Sequence, residues 1–270
     1  MPSKFNSIFA VATAAVIAIG AAGSAFAATV AVSGVGGSWT ALLPPTGPTN
    51  INGLNTNSVS WGTAYNGTFA GDPNGKQSGY SFIGAAAGNI ETGKEFNLGT
   101  FTHNNFVINA GTSIESASLS VVVNLVIGGV SKAVATSFNF VHNETANNPA
   151  GGVCADGAAN GAGANVNGCA DSVKILNNKA STQNFVIDGF EYILEITGFT
   201  VAGQMFSEFW TTENQANSAS LSARFALVGP TGGTGGGDEP VPSPVPLPAA
   251  GWMMLAAIGA LTATRARRKA

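Results

Sequence analysis

The chain has 270 residues, 36 of them Gly and only 9% charged, with a formal net charge of −3 at pH 7. Its basic residues concentrate at the C-terminal end, so the rest of the chain is more acidic than this value; the cluster is Arg265, Arg267, Arg268 and Lys269. Nucleic-acid binding needs grouped Lys and Arg that face phosphates, so this distribution argues against a nucleic-acid partner. It permits divalent cations and neutral glycans. The roughly 200 residues between the chain ends can bury one core, which predicts a single domain.

Residues 1–27 have the pattern of a secretory signal peptide. Lys4 supplies the positive start, residues 8–20 are apolar, and Ala25-Phe26-Ala27 is a cleavage site of the small-x-small type. Glycine and serine interrupt the end of the apolar stretch, which suits a cleaved signal helix better than a membrane span. We expect signal peptidase to cleave before Ala28 and the export machinery to carry the remaining chain out of the cytoplasm.

Residues 28–228 contain short runs in which apolar and polar residues alternate. In the clearest, every second residue from Leu119 to Leu125 is apolar, and the Gly128-Gly129 pair separates it from a second run with Phe138 and Phe140. This arrangement predicts a β-hairpin. Further candidate strands are residues 38–43, 58–62, 79–83, 96–101, 172–176, 184–187, 190–197 and 220–227. Without helical periodicity between the chain ends, the sequence predicts an all-β fold, an antiparallel β-sandwich, with a barrel or an irregular β fold as alternatives.

A series of short motifs follows a fixed order along the same segment. They are VSWG at 59–62, QSGYSF at 77–82, LGTFTHNNF at 98–106, FVHNET at 140–145, NFVIDG at 184–189 and YILEI at 192–196. This succession resembles the choice-of-anchor K domain, a module of bacterial surface proteins that carry interchangeable anchoring tails. The resemblance covers most of residues 28–228 and implies an extracellular β domain. It carries over no catalytic residue.

Two cysteines, Cys154 and Cys169, lie in a segment rich in Gly, Ala and Asn. Both belong to the exported part, where a disulfide is the expected state. Such a bond is worth about 3 kcal/mol in the chain-entropy model, and this segment has few apolar residues with which to order itself. The sequence therefore predicts a structural disulfide, with a metal site or a reactive thiol as the alternative.

The two histidines, His103 and His142, are candidates for chemistry, with Glu144 two residues after the second. On a strand, positions i and i+2 face the same side, so His142 and Glu144 can meet His103 at a metal, as in catalytic zinc sites with two His and one carboxylate. The favoured alternative is that residues 102–105 and 142–145 form strand-end turns whose side chains bond nearby backbone.

Other functional signals are weaker. The chain has no G-x-S-x-G, no H-E-x-x-H and no glycine-rich phosphate loop, so we expect no enzyme, although a pair of glycosidase-like carboxylates stays open. A Ca²⁺ site is chemically reasonable but lacks a D-x-[DN]-x-[DN]-G run; its candidates are Glu144, Asp156 and Asp171. Sugar stacking is an alternative to core packing for five aromatic residues, Trp39, Trp61, Tyr65, Tyr80 and Trp210.

Residues 229–270 form a linker and a three-part tail. The linker, 229–244, is first Gly-rich and then Pro-rich. The tail, 245–270, starts with Val245, Pro246, Leu247, Pro248 and Ala249, continues without a charge, and ends in the basic cluster. As a helix, the uncharged run spans roughly 24 Å at about 1.5 Å per residue, which is marginal for a bilayer core of about 30 Å. The basic residues behind it favour a cytoplasmic C-terminus.

The order of motif, apolar run and basic cluster resembles the PEP-CTERM class of sorting signals, in its VPLPA variant. This resemblance implies a membrane-embedded exosortase that reads the motif and processes the tail. The C-terminal transmembrane helix would hold the protein in the inner membrane before processing, and the product would reach the cell surface or the extracellular matrix. An ordinary single-span tail anchor is the alternative.

Together, these patterns predict a non-enzymatic exported surface or extracellular-matrix protein with a structural or adhesive role. Its expected partners are signal peptidase, the exosortase and the membrane, with extracellular polysaccharide as a candidate. No cofactor is expected beyond the Ca²⁺ option. Two alternatives remain: a carbohydrate-binding module, and a metal-dependent hydrolase using His103, His142 and Glu144.

Overall fold

The structure is a computed structural model that describes residues 28–44, 50–69, 72–73, 75–176 and 183–231. The predicted signal helix, most of the linker and the whole sorting signal with its transmembrane helix lie outside these residues. Among the helices of the described ranges, none is long and apolar enough to cross a membrane.

The described chain is built from β-strands, which confirms the all-β prediction. The strands are β1 Thr29–Leu43, β2 Ser58–Trp61, β3 Thr68–Phe69, β4 Asp72–Pro73, β5 Ser78–Gly84, β6 Gly88–Glu91, β7 Glu95–Asn105, β8 Ser116–Ile127, β9 Val130–Asn143, β10 Asp171–Leu176, β11 Phe185–Ile187, β12 Phe190–Val201, β13 Gln204–Phe206, β14 Glu208–Thr211 and β15 Gln215–Pro230. A single 3₁₀ turn, Gly163–Asn165, lies between β9 and β10 in this part of the chain.

Apart from β3 and β4, which pair only with each other, the strands form two antiparallel sheets that share one core. Sheet A has the order β14-β10-β9-β8-β1-β6, and sheet B has the order β11-β12-β15-β7-β5-β2, with β13 added beside β12. Aromatic contacts join the sheets: Phe101 of sheet B stacks on Phe140 of sheet A with 5.6 Å between ring centroids. Two sheets packed face to face over a common core are the arrangement of a β-sandwich.

The predicted hairpin is confirmed as β8 and β9. Ile127 pairs with Val130, and the two residues between them have positive φ, 58° at Gly128 and 80° at Gly129. These angles suit a two-residue turn that matches the twist of the strands, and glycine adopts them without a steric cost. The inward residues of β8 are all buried: Leu119, Val121, Val123 and Leu125.

The shorter predicted strands also exist, but several boundaries differ. β1 begins at Thr29 rather than at residue 38, because its first residues pair with β6. Glycines interrupt the alternation of polar and apolar residues in this segment, so the longer strand was not predicted. At Gly37 a larger residue would not fit, because a Cβ there would meet the ring of Phe82. β15 continues to Pro230, past the domain boundary expected at 228, and Leu227 is 48% exposed although its alternation placed it in the core. Neither β6 nor β14 was predicted.

The predicted disulfide joins Cys154 to Cys169, with 5.3 Å between their Cα atoms, in the loop that connects β9 to β10. Asn165 orders the same loop: its side-chain amide donates to both oxygens of Asp156, and its carbonyl oxygen accepts from the Ala170 amide at 2.7 Å. Asp156, one of the Ca²⁺ candidates, is therefore held inside the disulfide loop.

Candidate metal centre

Both histidines lie inside strands and face the interior between the sheets. His103 belongs to β7 and is 0% exposed, and His142 belongs to β9 and is 4% exposed. Each follows a buried aromatic residue by two positions, Phe101 and Phe140. The favoured interpretation as a strand-end turn is wrong for His103, because β7 continues to Asn105. His142 does lie at a strand end, since β9 stops at Asn143, but its ring contacts the side chains of Tyr80 and Glu144 rather than nearby backbone.

The packing of the two sheets against each other brings the two imidazoles together from β7 and β9. Their ring centroids are 5.3 Å apart and the ring planes are nearly perpendicular, at 89°. Tyr80 of β5 is the register partner of His103, and Trp61 stacks on the His103 ring at 6.0 Å. The histidines are thus enclosed by aromatic side chains of sheet B.

Thr211 of β14 determines which His103 nitrogen carries the proton. Its hydroxyl donates to the Asp171 carbonyl at 3.1 Å, and its oxygen lies 2.8 Å from His103 Nδ1. A hydroxyl has one hydrogen, so both contacts are satisfied when His103 Nδ1 donates to Thr211. His103 Nε2 then has a bare lone pair, and it has no hydrogen-bond partner within the described ranges.

His142 contacts an oxygen through each ring nitrogen. Nδ1 lies 2.6 Å from the Tyr80 hydroxyl, and Nε2 lies 3.3 Å from Glu144 Oε2. Ser113 also donates to this Glu144 oxygen, at 3.0 Å. The structure therefore brings His142 and Glu144 into contact, as the i, i+2 spacing indicated, with the Glu144 side chain 23% exposed.

Asp171, rather than Glu144, completes the group of metal-ligating atoms. One such atom from each of His103, His142 and Asp171 lies within 4.8 Å of the other two. Asp171 is 0% exposed, its Oδ1 accepts from the Thr145 amide at 2.7 Å, and its Oδ2 has no partner among the described residues. The sequence named Asp171 only as a Ca²⁺ candidate; the alternation Asp171, Val173, Ile175 could have placed it on the inward face.

Burial and nearby titratable groups shift the pKa values of several side chains in this cluster. The pKa of His103 is lowered by burial and then by His142. The pKa of Asp171 is raised by burial and then by Glu144 and Glu213. Burial, followed by Glu144, raises the pKa of Glu213 to about 8, with the Asn105 side chain opposing the rise. The site thus combines a neutral imidazole with carboxyls that resist ionisation unless a positive charge joins them.

A cleft of about 540 Å³ adjoins the cluster on the outside. Its lining includes His142 and Glu144, together with Ser113, Thr145 and Asn147. His142 therefore contacts both the buried cluster and the cleft. The His142 side chain is itself 0% exposed, and neither His103 nor Asp171 lines the cleft, so the three buried residues are closed off from it in this structure.

The candidate sugar-stacking aromatics do not form an exposed row. Trp39, Trp61 and Tyr80 are buried in the core, whereas Tyr65 is exposed and Trp210 is half-buried. The more frequent role of aromatics in a sandwich, core packing, holds for those three.

Several residues of the cluster escaped the sequence analysis altogether. Tyr80 was considered only as an aromatic surface, and Asn105, Thr211 and Glu213 were not singled out for a site. The signal for Asn105 was its i+2 spacing from His103 on an alternating strand. For Thr211 no such signal was available, because β14 was not predicted.

Comparison with protein-family models gives no match, and comparison with curated proteins likewise gives none. The resemblances to the PEP-CTERM signal and the choice-of-anchor K domain therefore stay predictions, and the function has to be argued from the residues themselves.

Proposed function

We propose that this protein is a non-enzymatic, exported β-sandwich with a structural or adhesive role at the cell surface or in the extracellular matrix, sorted by its C-terminal signal. The observation that carries the proposal is the Cys154–Cys169 disulfide. Disulfides form and persist in oxidising compartments outside the cytoplasm. This bond uses both cysteines of the chain.

The loop around the disulfide supports the same location. Cys154 and Cys169 are buried, while many residues between them are small and exposed. Few apolar contacts hold this loop, so it depends on the covalent bond and on the Asn165 hydrogen bonds. Such a loop therefore favours a location outside the cytoplasm, where the disulfide is stable.

The packing of the aromatics favours a structural role over carbohydrate binding. A sugar-binding surface needs aromatic faces that a sugar ring can reach. Trp39, Trp61 and Tyr80 instead pack against each other in the core, with Trp39 and Trp61 both contacting Tyr80. Carbohydrate binding would need an exposed row of aromatic side chains, and these three residues do not form one.

The sorting step of the proposal rests on the sequence of the tail. An exosortase would read Val245, Pro246, Leu247, Pro248 and Ala249 while the apolar run and the basic cluster hold the chain in the inner membrane. Removal of this tail releases the sandwich to the surface, in the manner of other cleaved sorting tails.

Intact mass of the protein from fractionated native cells tests this proposal. We expect a chain that starts at Ala28, lacks the segment after about Ala249 and contains an oxidised cysteine pair. A double Pro246→Ala, Pro248→Ala variant should keep its tail in the membrane fraction, whereas Pro242→Ala in the linker should be processed normally. A retained tail in the unmodified protein contradicts exosortase processing, and reduced cysteines contradict export.

Metal-dependent hydrolysis is a second candidate function, favoured by one observation. His142 and Glu144 line the cleft, and catalytic zinc sites keep one position open to water or substrate. Hydrolysis of 4-nitrophenyl acetate by zinc-loaded protein, compared with zinc-free protein and with Glu144→Gln, tests it. A zinc-dependent rate that falls in Glu144→Gln would overturn the non-enzymatic assignment, and equal rates would remove this candidate.

A further inference from the structure

We propose that His103, His142 and Asp171 form a binding site for a divalent transition metal, with Zn²⁺ as its representative, between the two sheets. The site goes beyond the surface role proposed above and does not depend on it. Three different strands, β7, β9 and β10, supply the three ligands.

The spacing of the ligand atoms suits one cation. The three atoms lie within 4.8 Å of one another, and two atoms that share a Zn²⁺ ion at bonds of about 2.0–2.2 Å lie roughly 3–4 Å apart. Small rotations of the three side chains would bring the ligand atoms from within 4.8 Å to the roughly 3–4 Å that one ion requires. An ordered water that bridges the same atoms is the rival occupant.

Two of the ligand atoms are buried acceptors that lack a partner. His103 Nε2 has a lone pair because its Nδ1 donates to Thr211, and Asp171 Oδ2 is the second oxygen of a buried carboxyl. Neither has a hydrogen-bond partner in the described part of the chain, and an ionised carboxylate has no hydrogen to offer. A cation satisfies both atoms at once.

Each of the three ligands is oriented through an atom that coordination leaves free. His103 Nδ1 contacts the Thr211 hydroxyl, His142 Nδ1 contacts the Tyr80 hydroxyl, and Asp171 Oδ1 accepts from the Thr145 amide. Metal-binding histidines in proteins characteristically use their second nitrogen in this way, which fixes the ring and its tautomer. His103 Nε2 and Asp171 Oδ2 are thereby presented for the metal, and His142 Nε2 has to exchange its 3.3 Å contact with Glu144 Oε2 for the ion.

The local charge also calls for a cation. Asp171 lies in the field of Glu144 and Glu213, and the ion pair that a Lys or Arg makes among the described residues is Arg224–Glu195. No Lys or Arg of the described chain thus forms an ion pair with Asp171 or Glu213. A divalent ion supplies the positive charge that allows these carboxyls to ionise.

The ligand types select a transition metal over calcium. Ca²⁺ takes six to eight oxygen ligands, whereas imidazole nitrogens suit Zn²⁺, Ni²⁺, Cu²⁺ and iron. Two of the three ligands here are imidazoles. The cleft is lined by His142 and Glu144, so an ion that enters from this side has to pass these two side chains.

The test is zinc binding by the untagged, full exported chain after treatment with EDTA. Titration against a chromophoric chelator should give one Zn²⁺ per chain. His103→Gln and Asp171→Asn should each weaken binding at least 100-fold. Asp156→Asn, the same change inside the disulfide loop, should leave the affinity unchanged. Circular dichroism of each variant in EDTA checks that the fold is retained.

The Glu144→Gln variant distinguishes two ligand sets. In the proposed site the carboxylate ligand is Asp171, whereas the sequence indicated Glu144 together with the two histidines. If Asp171 is the carboxylate ligand, Glu144→Gln weakens binding by no more than about 10–100-fold, the range for a residue that hydrogen-bonds a ligand, and by less than Asp171→Asn does. If Glu144→Gln abolishes binding and Asp171→Asn does not, the metal lies at the cleft and the proposal is wrong.

X-ray absorption of the zinc-loaded unmodified protein covers the case in which a ligand variant fails to fold. We expect two imidazole nitrogens at about 2.0–2.1 Å and one or more oxygens. The absence of stoichiometric zinc, or zinc bound only by oxygens, overturns the proposal and leaves an ordered water as the occupant. These outcomes are independent of tail processing, so this proposal and the surface role can fail separately.

Discussion

The interior of the sandwich differs between the middle of its strands and the end at which β7 and β9 stop. In the middle, every inward side chain of β8 from Leu119 to Leu125 is apolar and buried. At the end, the inward residues of β7 and β9 are His103, Asn105 and His142, and Asp171 faces them from β10. We refer to these two parts as the apolar core and the polar cluster.

The same alternation produces both parts, so the difference lies in which residues occupy the inward positions. On β9 the successive inward residues are Phe138, Phe140 and His142. Apolar side chains of similar volume would pack at the polar end without unpaired acceptors, and such replacements are often neutral or stabilising. Stability by itself therefore does not account for the polar cluster, whereas the metal binding proposed above would.

The largest expected effect belongs to the apolar core. Phe140→Ala removes a fully buried ring that stacks on Phe101, and we expect a loss of about 3–5 kcal/mol in the free energy of unfolding. Urea denaturation by tryptophan fluorescence measures it. Val130→Ala, at an exposed position of the same strand, is the control and should change little. A loss below about 1 kcal/mol for Phe140→Ala would mean that the two sheets do not share this core.

The disulfide contributes the next largest effect. Replacing both Cys154 and Cys169 by Ser should lower the free energy of unfolding by about 3 kcal/mol, through the added entropy of the unfolded chain. The same experiment on the unmodified protein with reductant should give a similar loss. Equal stability with and without the bond would show that the loop is ordered by Asn165 and its neighbours alone.

The polar cluster should make the stability of the metal-free protein fall with rising pH. Glu213 titrates with a pKa of about 8 when folded and about 4.5 when unfolded, because of its burial and the nearby Glu144. The folded state holds the extra proton in this range, so its stabilising effect is complete below pH 4.5 and is lost as pH rises through 8. Asp171 shifts in the same direction.

The measurement is urea denaturation in EDTA between pH 6.5 and 8. This window lies above the unfolded pKa of His103, whose lowered folded pKa acts in the opposite sense at lower pH. We expect a decrease of up to about 2 kcal/mol, or about 1.4 kcal/mol per pH unit for one proton. Glu213→Gln should flatten the slope, and a slope that is unchanged in this variant would assign the titration to another group.

The smallest effect belongs to a partly exposed ion pair, in which the Arg224 side chain is 44% exposed and the Glu195 side chain 10%. Arg224 contacts Glu195 at 2.9 Å on the surface of sheet B. Exposed pairs contribute about 0.2–1 kcal/mol and weaken in salt. Arg224→Ala should therefore cost less than about 1 kcal/mol in denaturation experiments, and less still in 1 M NaCl. A larger loss that is independent of salt would indicate that the side chain acts through packing.

The sequence alone determined the all-β class, the β8–β9 hairpin and the disulfide. Each depends on local information: the alternation of polarity along one strand, two glycines that accept positive φ, and two cysteines in a segment that is predicted to be exported. The same alternation identified His142 and Glu144 as neighbours, and their side chains are in contact.

Only the tertiary structure decided which residues surround the histidines. Alternation shows which face a side chain occupies, but it does not show which strands lie side by side or opposite each other. Asp171 reaches His103 because β10 lies beside β9 in sheet A and β7 faces them from sheet B. Thr211 and Tyr80 join the cluster through pairings between strands distant in sequence, and such pairings depend on the packing of the whole core.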